Sequence, residues 1–182
     1  KVSLPGGCAW GPRPVDYHLQ GLEKLGAKVS LKNGYILAET DQLKGAKINL
    51  EYPSVGATGN ILMACVLAKG TTIINNAAKE PEIVQLCQFL IKMGASIRGI
   101  GTTKIIVEGV SSLKSAKIEI IPDRIEAGTF LIAGALLGEL KLKNVIPSHL
   151  DSVTTKLREV GCNLKTTDNS ITIYPTDQLN GV

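Results

Sequence analysis

Aromatic residues are scarce. Phe, Trp and Tyr make up 4% of the 182 residues. A core must therefore be aliphatic, and the scarcity argues against the base-stacking surfaces that nucleic-acid binders usually need. Long apolar runs are missing too. The longest, Phe130 to Leu137, falls far short of the ~20 residues that span a bilayer. No two of Cys8, Cys65, Cys87 and Cys162 stand at CxxC spacing, and His18 and His149 add no metal-binding pattern. Four cysteines are too few for a disulfide scaffold, which makes a reducing cytoplasm the default compartment. Dense Lys/Arg runs are absent, and the net charge of +4 is spread along the chain. That balance suits an anionic small molecule, and equally an ordinary solvated surface. The sequence calls for no nucleic acid, membrane, metal or cofactor. It leaves oligomeric state open, with a monomer as the default. No secretory pattern opens the chain. It begins Lys1-Val2-Ser3-Leu4 rather than with methionine, which reads as mid-strand, so the protein is expected to extend upstream.

What is present is an ordinary globular composition, 44% hydrophobic and 20% charged, long enough for one large domain or parts of two. The pattern Leu-x-x-x-Gly-(Ala/Cys)-x-(Val/Ile/Leu) occurs three times, at Leu22 to Val29, Leu90 to Ile97 and Leu157 to Leu164. Its glycines, Gly26, Gly94 and Gly161, are spaced 68 (94 − 26) and 67 (161 − 94) residues apart. A second pattern pairs Leu67 to Asn75 with Leu136 to Asn144, a spacing of 69 between the asparagines (144 − 75). Within one period the residues spell a helix over 54–68, a strand over 71–75, a helix over 82–93 ended by Gly94, and strands over 95–98 and 104–108 around a glycine-containing turn. A further strand is expected before the first helix. A period this long exceeds thin solenoid repeats of ~20–50 residues. It implies an α/β fold made of copies of one compact unit. A strand over 117–121 followed by Pro122 marks the expected seam between two domains.

Three stretches can carry chemistry. Leu4 to Asp16 holds three glycines and three prolines, an irregular loop that presents Cys8 and places Arg13 near it. An ordinary connection with an incidental cysteine is the competing reading. Cys65 and Cys87 lie in apolar helical stretches and read as inert filler. Asp16 either binds a ligand or caps the helix expected over 17–25. In the second stretch, Tyr52 to Asn60, a strand end turns into a helix start, where backbone N–H groups suit a phosphate. Ser54 as a plain helix cap is the alternative. In the third, Pro122 to Thr129, Asp123, Arg124 and Glu126 stand at the start of an apolar helix, which capping and a surface ion pair also explain. Glu80-Pro81-Glu82 reads as helix entry.

Together these stretches resemble the UDP-N-acetylglucosamine enolpyruvyl transferases. The resemblance is carried by Ser3 to Cys8, Gly11-x-Arg13-Pro14-Val15-Asp16, Pro53 to Thr58, Glu80 to Val84, and Pro122 to Glu126 with Gly128-Thr129-Phe130, in family order and spacing. It implies an enolpyruvyl transferase-like α/β fold of the inside-out barrel type, with two similar domains of repeated βαβαββ units. Residues 1–121 would be two later units of the cysteine-loop domain, and 122–182 the first unit of the other. It also implies transfer of an enolpyruvyl group from phosphoenolpyruvate to the 3-hydroxyl of UDP-N-acetylglucosamine, at the start of peptidoglycan precursor synthesis. Cys8 would be the catalytic thiol and the target of fosfomycin. Arg13, Pro14, Val15, Asp16, Tyr17, Ser54, Val55 and Gly56 would line the sugar-nucleotide site, and Glu80, Asp123, Arg124 and Glu126 the cleft.

Two family elements find no match. These are the Lys-Asn pair, expected upstream, and the base aspartate, because Pro175-Thr176-Asp177 follows too soon after Asp123 to be its motif. The isolated chain is therefore expected to lack turnover. A half-built second domain would leave Phe130 to Leu137 exposed. The alternatives are a 5-enolpyruvylshikimate-3-phosphate synthase-like transferase, which lacks the Pro-Gly-Gly-Cys loop, and a non-catalytic nucleotide-sugar-binding paralogue.

Overall fold

The structure, a computed structural model, describes residues 1–9, 11–176 and 178–181, with only the backbone of Cys8 and Pro12. Asp177 lies outside the described residues. The chain forms two compact units, Lys1–Glu119 and Ile120–Val182.

In the first unit the chain runs β1 (Val2–Ser3), β2 (Gly7–Cys8), β3 (Gly11–Pro12), α1 (Asp16–Lys24), β4 (Lys28–Lys32), β5 (Tyr35–Glu39), β6 (Lys47–Asn49), α2 (Val55–Cys65), β7 (Thr71–Asn75), α3 (Pro81–Lys92), β8 (Ser96–Arg98) and β9 (Lys104–Glu108). From β6 to β9 this is a complete βαβαββ copy. Its sheet has the order β6-β7-β9-β8, with β6 parallel to β7 and the other pairs antiparallel. The front of the unit repeats the later part of that topology. β1, β5 and β4 form a sheet in that order, both pairs antiparallel. Apolar residues at alternate strand positions and on one helix face close an aliphatic core that includes Leu25, Ile61, Leu62, Ile74, Ile105 and Val107.

The second unit holds α4 (Arg124–Leu137), β10 (Leu140–Lys143), a 3₁₀ turn (Pro147–Leu150), α5 (Asp151–Glu159), β11 (Asn163–Thr166) and β12 (Ser170–Tyr174). Its sheet, β10-β12-β11, again puts the last strand in the middle, antiparallel to both neighbours. Leu131, Leu150, Ile171 and Ile173 fill its core. No described helix is long and apolar enough to cross a membrane.

The repeated glycine motif has one physical cause. Gly26, Gly94 and Gly161 take φ of +95°, +107° and +103°, a region that disfavours side chains. Each ends a helix in a Schellman cap. Ala27, Ala95 and Cys162 donate their N–H to the carbonyls of Leu22, Leu90 and Leu157 at 2.9–3.0 Å. The motif's leucine is thus the carbonyl acceptor, and its Ala or Cys is the residue that donates to it.

Two expectations need correction. The second repeat aligns Asn76, not Asn75, with Asn144. Both take φ +55°, and Gly70 and Gly138 ahead of them also have positive φ. The spacing becomes 68 (144 − 76), in step with the glycines. The strand expected over 117–121 does not form, and no ladder includes that segment among the described residues. Gln85 Nε2 instead donates to the carbonyl of Glu119 at 2.8 Å, and Ile120 is 74% exposed. Alternating β-branched residues do not make a strand without a neighbour to pair with.

Candidate active site

Cys8 sits in a minimal hairpin in which Gly7 pairs with Pro12 and Cys8 with Gly11. Gly11 has φ +117°, so a residue with a side chain would be strained at this corner. The position of the Cys8 side chain lies outside the described residues. The chain leaves the hairpin through Arg13 and Pro14, both exposed, and enters α1 at once.

Asp16 is not the cap of that helix. The N-cap is Val15, without a side-chain hydrogen bond, and Asp16 is the first helical residue. The helix thus begins one residue earlier than a cap at Asp16 requires. Asp16 still faces the positive end of the dipole, but its exposed carboxylate is not used in capping. At α2, in contrast, Ser54 is the cap. Its Oγ accepts from Ala57 N at 3.2 Å.

The two helix starts come together through residues that the sequence reading missed. Asn60 Nδ2 donates to His18 Nδ1 at 2.6 Å. In the neutral ring this leaves the proton on Nε2. His18 lies over Gly56, where an added Cβ would stand 3.2 Å from Cε1 and 3.3 Å from Nε2. One turn further along, a Cβ on Gly21 would come within 2.5 Å of Ile61 Cδ1 and Cγ1. These two glycines allow α1 and α2 to approach closely. The first turns of both helices, with their unsatisfied N–H groups, therefore lie side by side. The described contacts between them are His18 with Gly56 and Asn60, and Gly21 with Ile61.

Behind it, Thr58 Oγ1 accepts from Ala78 N at 3.1 Å, with Thr58 fully buried. Asn76 Nδ2 donates to the carbonyls of Leu50 and Glu51 at 2.9 and 3.4 Å. Glu80 is elsewhere on the same unit. It lines an open cleft of about 460 Å³ with Pro53, Asn76, Ala77, Lys79 and Thr103. It holds the N-cap position of α3 without capping it.

Asp123, Arg124 and Glu126 belong to the second unit. Asp123 Oδ1 accepts from Ile125 N at 2.7 Å and Glu126 N at 3.1 Å, a helix cap. Glu126 is exposed in the first turn of α4, and Arg124 is half-buried.

The other thiols contrast with the hairpin. Burial pushes the Cys65 thiol from 9.0 up to about 12, and Cys87 up to about 11. Both keep their protons and are poor nucleophiles, as their apolar setting predicted.

The fold is that of an enolpyruvyl transferase. The structure of the enolpyruvyl transferase NikO from Streptomyces tendae superposes with a TM-score of 0.81 at 21% identity, over 91% of this chain and 43% of that one. EPSP synthase from Acinetobacter baumannii does so with a TM-score of 0.64 at 23% identity, over 93% and 41%. The family model for EPSP synthase (3-phosphoshikimate 1-carboxyvinyltransferase) matches residues 1–182, and the chain belongs to that family. Within it, the chain is 54% identical to UDP-N-acetylglucosamine 1-carboxyvinyltransferase of Chlorobium luteolum, over 98% of this chain and 43% of the relative. It is also 54% identical to UDP-N-acetylglucosamine 1-carboxyvinyltransferase 2 of Bacillus subtilis, over 94% and 40%. The chain thus spans about 43% of the first relative's length.

Proposed function

We propose that the gene product containing this chain transfers the enolpyruvyl group of phosphoenolpyruvate to the 3-hydroxyl of UDP-N-acetylglucosamine. Phosphate is released, and the product enters peptidoglycan precursor synthesis in the cytoplasm. The observation that carries this reading is the pairing of the first turns of α1 and α2 through His18, Gly56 and Asn60. Two helix starts side by side offer several N–H donors and converging positive dipole ends to a diphosphate. Arg13, Pro14, Val15, Asp16 and Tyr17 on one helix and Ser54, Val55 and Gly56 on the other then line the sugar nucleotide.

The reaction is an addition followed by an elimination. The sugar hydroxyl gives up its proton to a base as its oxygen bonds to C2 of phosphoenolpyruvate, and the phosphoenolpyruvate methylene gains a proton. The carbon–oxygen bond to phosphate then breaks as that methyl loses a proton. Cys8, on the hairpin directly ahead of α1, is the thiol assigned to the methylene proton. The hairpin closes over bound sugar nucleotide and excludes water. Glu80 in the first unit and Asp123, Arg124 and Glu126 in the second are assigned as further active-site residues of the full gene product, and residues 1–121 and 122–182 to two domains. Both sequence relatives are named for UDP-N-acetylglucosamine, which favours this substrate over a shikimate phosphate.

The test is phosphate release by the full gene product with both substrates, alone and after fosfomycin. Activity that depends on both substrates, is lost in Cys8→Ser and is blocked by an adduct at Cys8 is the expected result. Turnover of a shikimate phosphate instead, or alkylation elsewhere, would overturn the assignment. The 182-residue chain by itself is expected to be inactive.

A further inference from the structure

Asn33 and Gly34 form the turn between β4 and β5. Both have positive φ, +51° and +72°. Lys32 pairs with Tyr35 across them, which makes the two-residue type I′ hairpin that Asn-Gly favours. Both residues are exposed. The turn leaves unheld the two groups that can react with each other. Among the described residues the Asn33 side-chain amide has no hydrogen-bond partner, whereas the amides of Asn60, Asn75 and Asn76 are engaged. The Gly34 N–H donates to no carbonyl among the described residues, while the Gly34 carbonyl accepts from Leu4 N at 3.0 Å. A Cβ at Gly34 would have nothing within 4 Å, so only its chain neighbours crowd it.

The bond to Leu4 links this turn to the thiol-bearing hairpin. Val2 and Ser3 pair with Ile36 and Tyr35. Leu4 then bonds to Gly34, and Pro5 leads into the hairpin that carries Cys8. The foot of that hairpin is fastened to the β4–β5 turn.

We infer that Asn33-Gly34 is a site of spontaneous deamidation, and that the isoaspartate formed there unfastens the foot of the Cys8 hairpin. The Gly34 nitrogen gives its proton to hydroxide and bonds to Cγ of Asn33. The bond from Cγ to the side-chain nitrogen breaks, that nitrogen takes a proton from water, and ammonia leaves. A five-membered succinimide remains. Water then adds to one of its two carbonyl carbons and breaks that carbon's bond to the Gly34 nitrogen. Opening at Cγ gives aspartate. Opening at the main-chain carbon gives isoaspartate, in which the chain runs through Cβ and Cγ and is longer by a methylene. A two-residue turn has no slack for that length, so Gly34 moves and its carbonyl no longer meets Leu4 N.

The test ages the folded full gene product at mildly alkaline pH. Peptide mapping, labelling by an isoaspartyl methyltransferase and amide hydrogen exchange follow it. Asn180-Gly181, exposed and outside any helix or strand, is the internal clock for the same dipeptide. Asn33 should lose its amide at a rate within about tenfold of Asn180, since glycine follows both, and the rate should rise with pH. Methyl label should appear at position 33. In the aged protein the Leu4 amide should exchange about tenfold faster, the scale of one lost backbone hydrogen bond. Asn33→Gly suits the same turn and has no amide to lose, so its Leu4 protection should survive ageing. Fresh Asn33→Asp carries the new charge without the methylene and should keep that protection too. An intact Asn33 beside a converted Asn180 would overturn the deamidation site. Unchanged Leu4 exchange in protein that bears the isoaspartate, or lost protection in fresh Asn33→Asp, would overturn its effect on the hairpin.

Discussion

The contact that aligns the two helix starts is open to a direct perturbation, Gly21→Ala. The new Cβ would stand 2.5 Å from two side-chain carbons of Ile61, which is fully buried. Ile61 cannot swing into solvent, so either its rotamer changes within the core or α1 lifts from α2. Overpacking of this kind costs about 1–3 kcal/mol. Alanine regains about 1 kcal/mol through its better helix propensity. The balance is a net destabilisation of about 1 kcal/mol for Gly21→Ala. Gly21→Val adds further bulk without alanine's propensity and should lose about 3 kcal/mol. At roughly 4 °C per kcal/mol for a unit of this size, scanning calorimetry separates the two variants. A double variant with Ile61→Ala tests the cause. Ile61→Ala alone should cost about 2–5 kcal/mol as a cavity, and the methyl group that Gly21→Ala adds should reclaim part of that space. The pair should therefore be less destabilised than the sum by about 1 kcal/mol. Strict additivity, or a Gly21→Ala variant that melts above wild type, would show that the helices do not meet at this point.

Other outcomes follow from the same structure. Ser54→Ala should cost about 1 kcal/mol in urea unfolding, and Ser54→Gly only a few tenths, as for other serine caps. Gly94→Ala and Gly161→Ala should each cost about 1 kcal/mol, because alanine must take a positive φ. A thiol reagent at about pH 8 should modify native protein at Cys8 and reach Cys65 and Cys87 only after denaturation; early labelling of either would contradict their burial. The folded-state pKa values of Cys65 and Cys87, about 12 and about 11, lie above the unfolded value of 9.0. Their contribution to stability is therefore complete below about pH 9 and declines as pH rises toward about 11–12, which urea midpoints measured across that range will follow. On α4, Ile125, Phe130, Ile132, Leu136 and Leu137 are 63%, 49%, 52%, 68% and 87% exposed. The chain should therefore bind a hydrophobic dye. Leu136→Gln with Leu137→Gln should reduce that binding markedly and change stability by less than about 0.5 kcal/mol.

The sequence revealed most where one residue type answers one backbone need. Gly26, Gly94 and Gly161 announced three helix ends because only glycine takes that φ easily, and the leucine ahead of each gave the register. The helices over 55–65 and 81–92 were legible from their apolar spacing and entry residues. Extended segments were read less well. Residues 117–121 have the pattern of a strand, but pairing depends on a neighbour that the local sequence does not name. Asn75 and Asn76 are adjacent and chemically identical, and only backbone conformation tells which repeats Asn144. For Asp16 the sequence left cap and ligand both open, and only the backbone shows Val15 at the N-cap and Asp16 inside the helix.

Within the site, the candidates on each helix were visible singly. Their meeting was not, because it depends on His18, Asn60, Gly21 and Gly56, which lie far apart in sequence and carry no motif.

The helix endings that recur at Gly26, Gly94 and Gly161 make the molecule its own set of replicates. The same capping turn closes over a half-buried leucine at position 22 and over well-buried ones at 90 and 157. Replacing each glycine in turn, in one chain under one buffer, would separate the intrinsic cost of a left-handed residue from what its surroundings add. Few proteins allow that subtraction without changing the host.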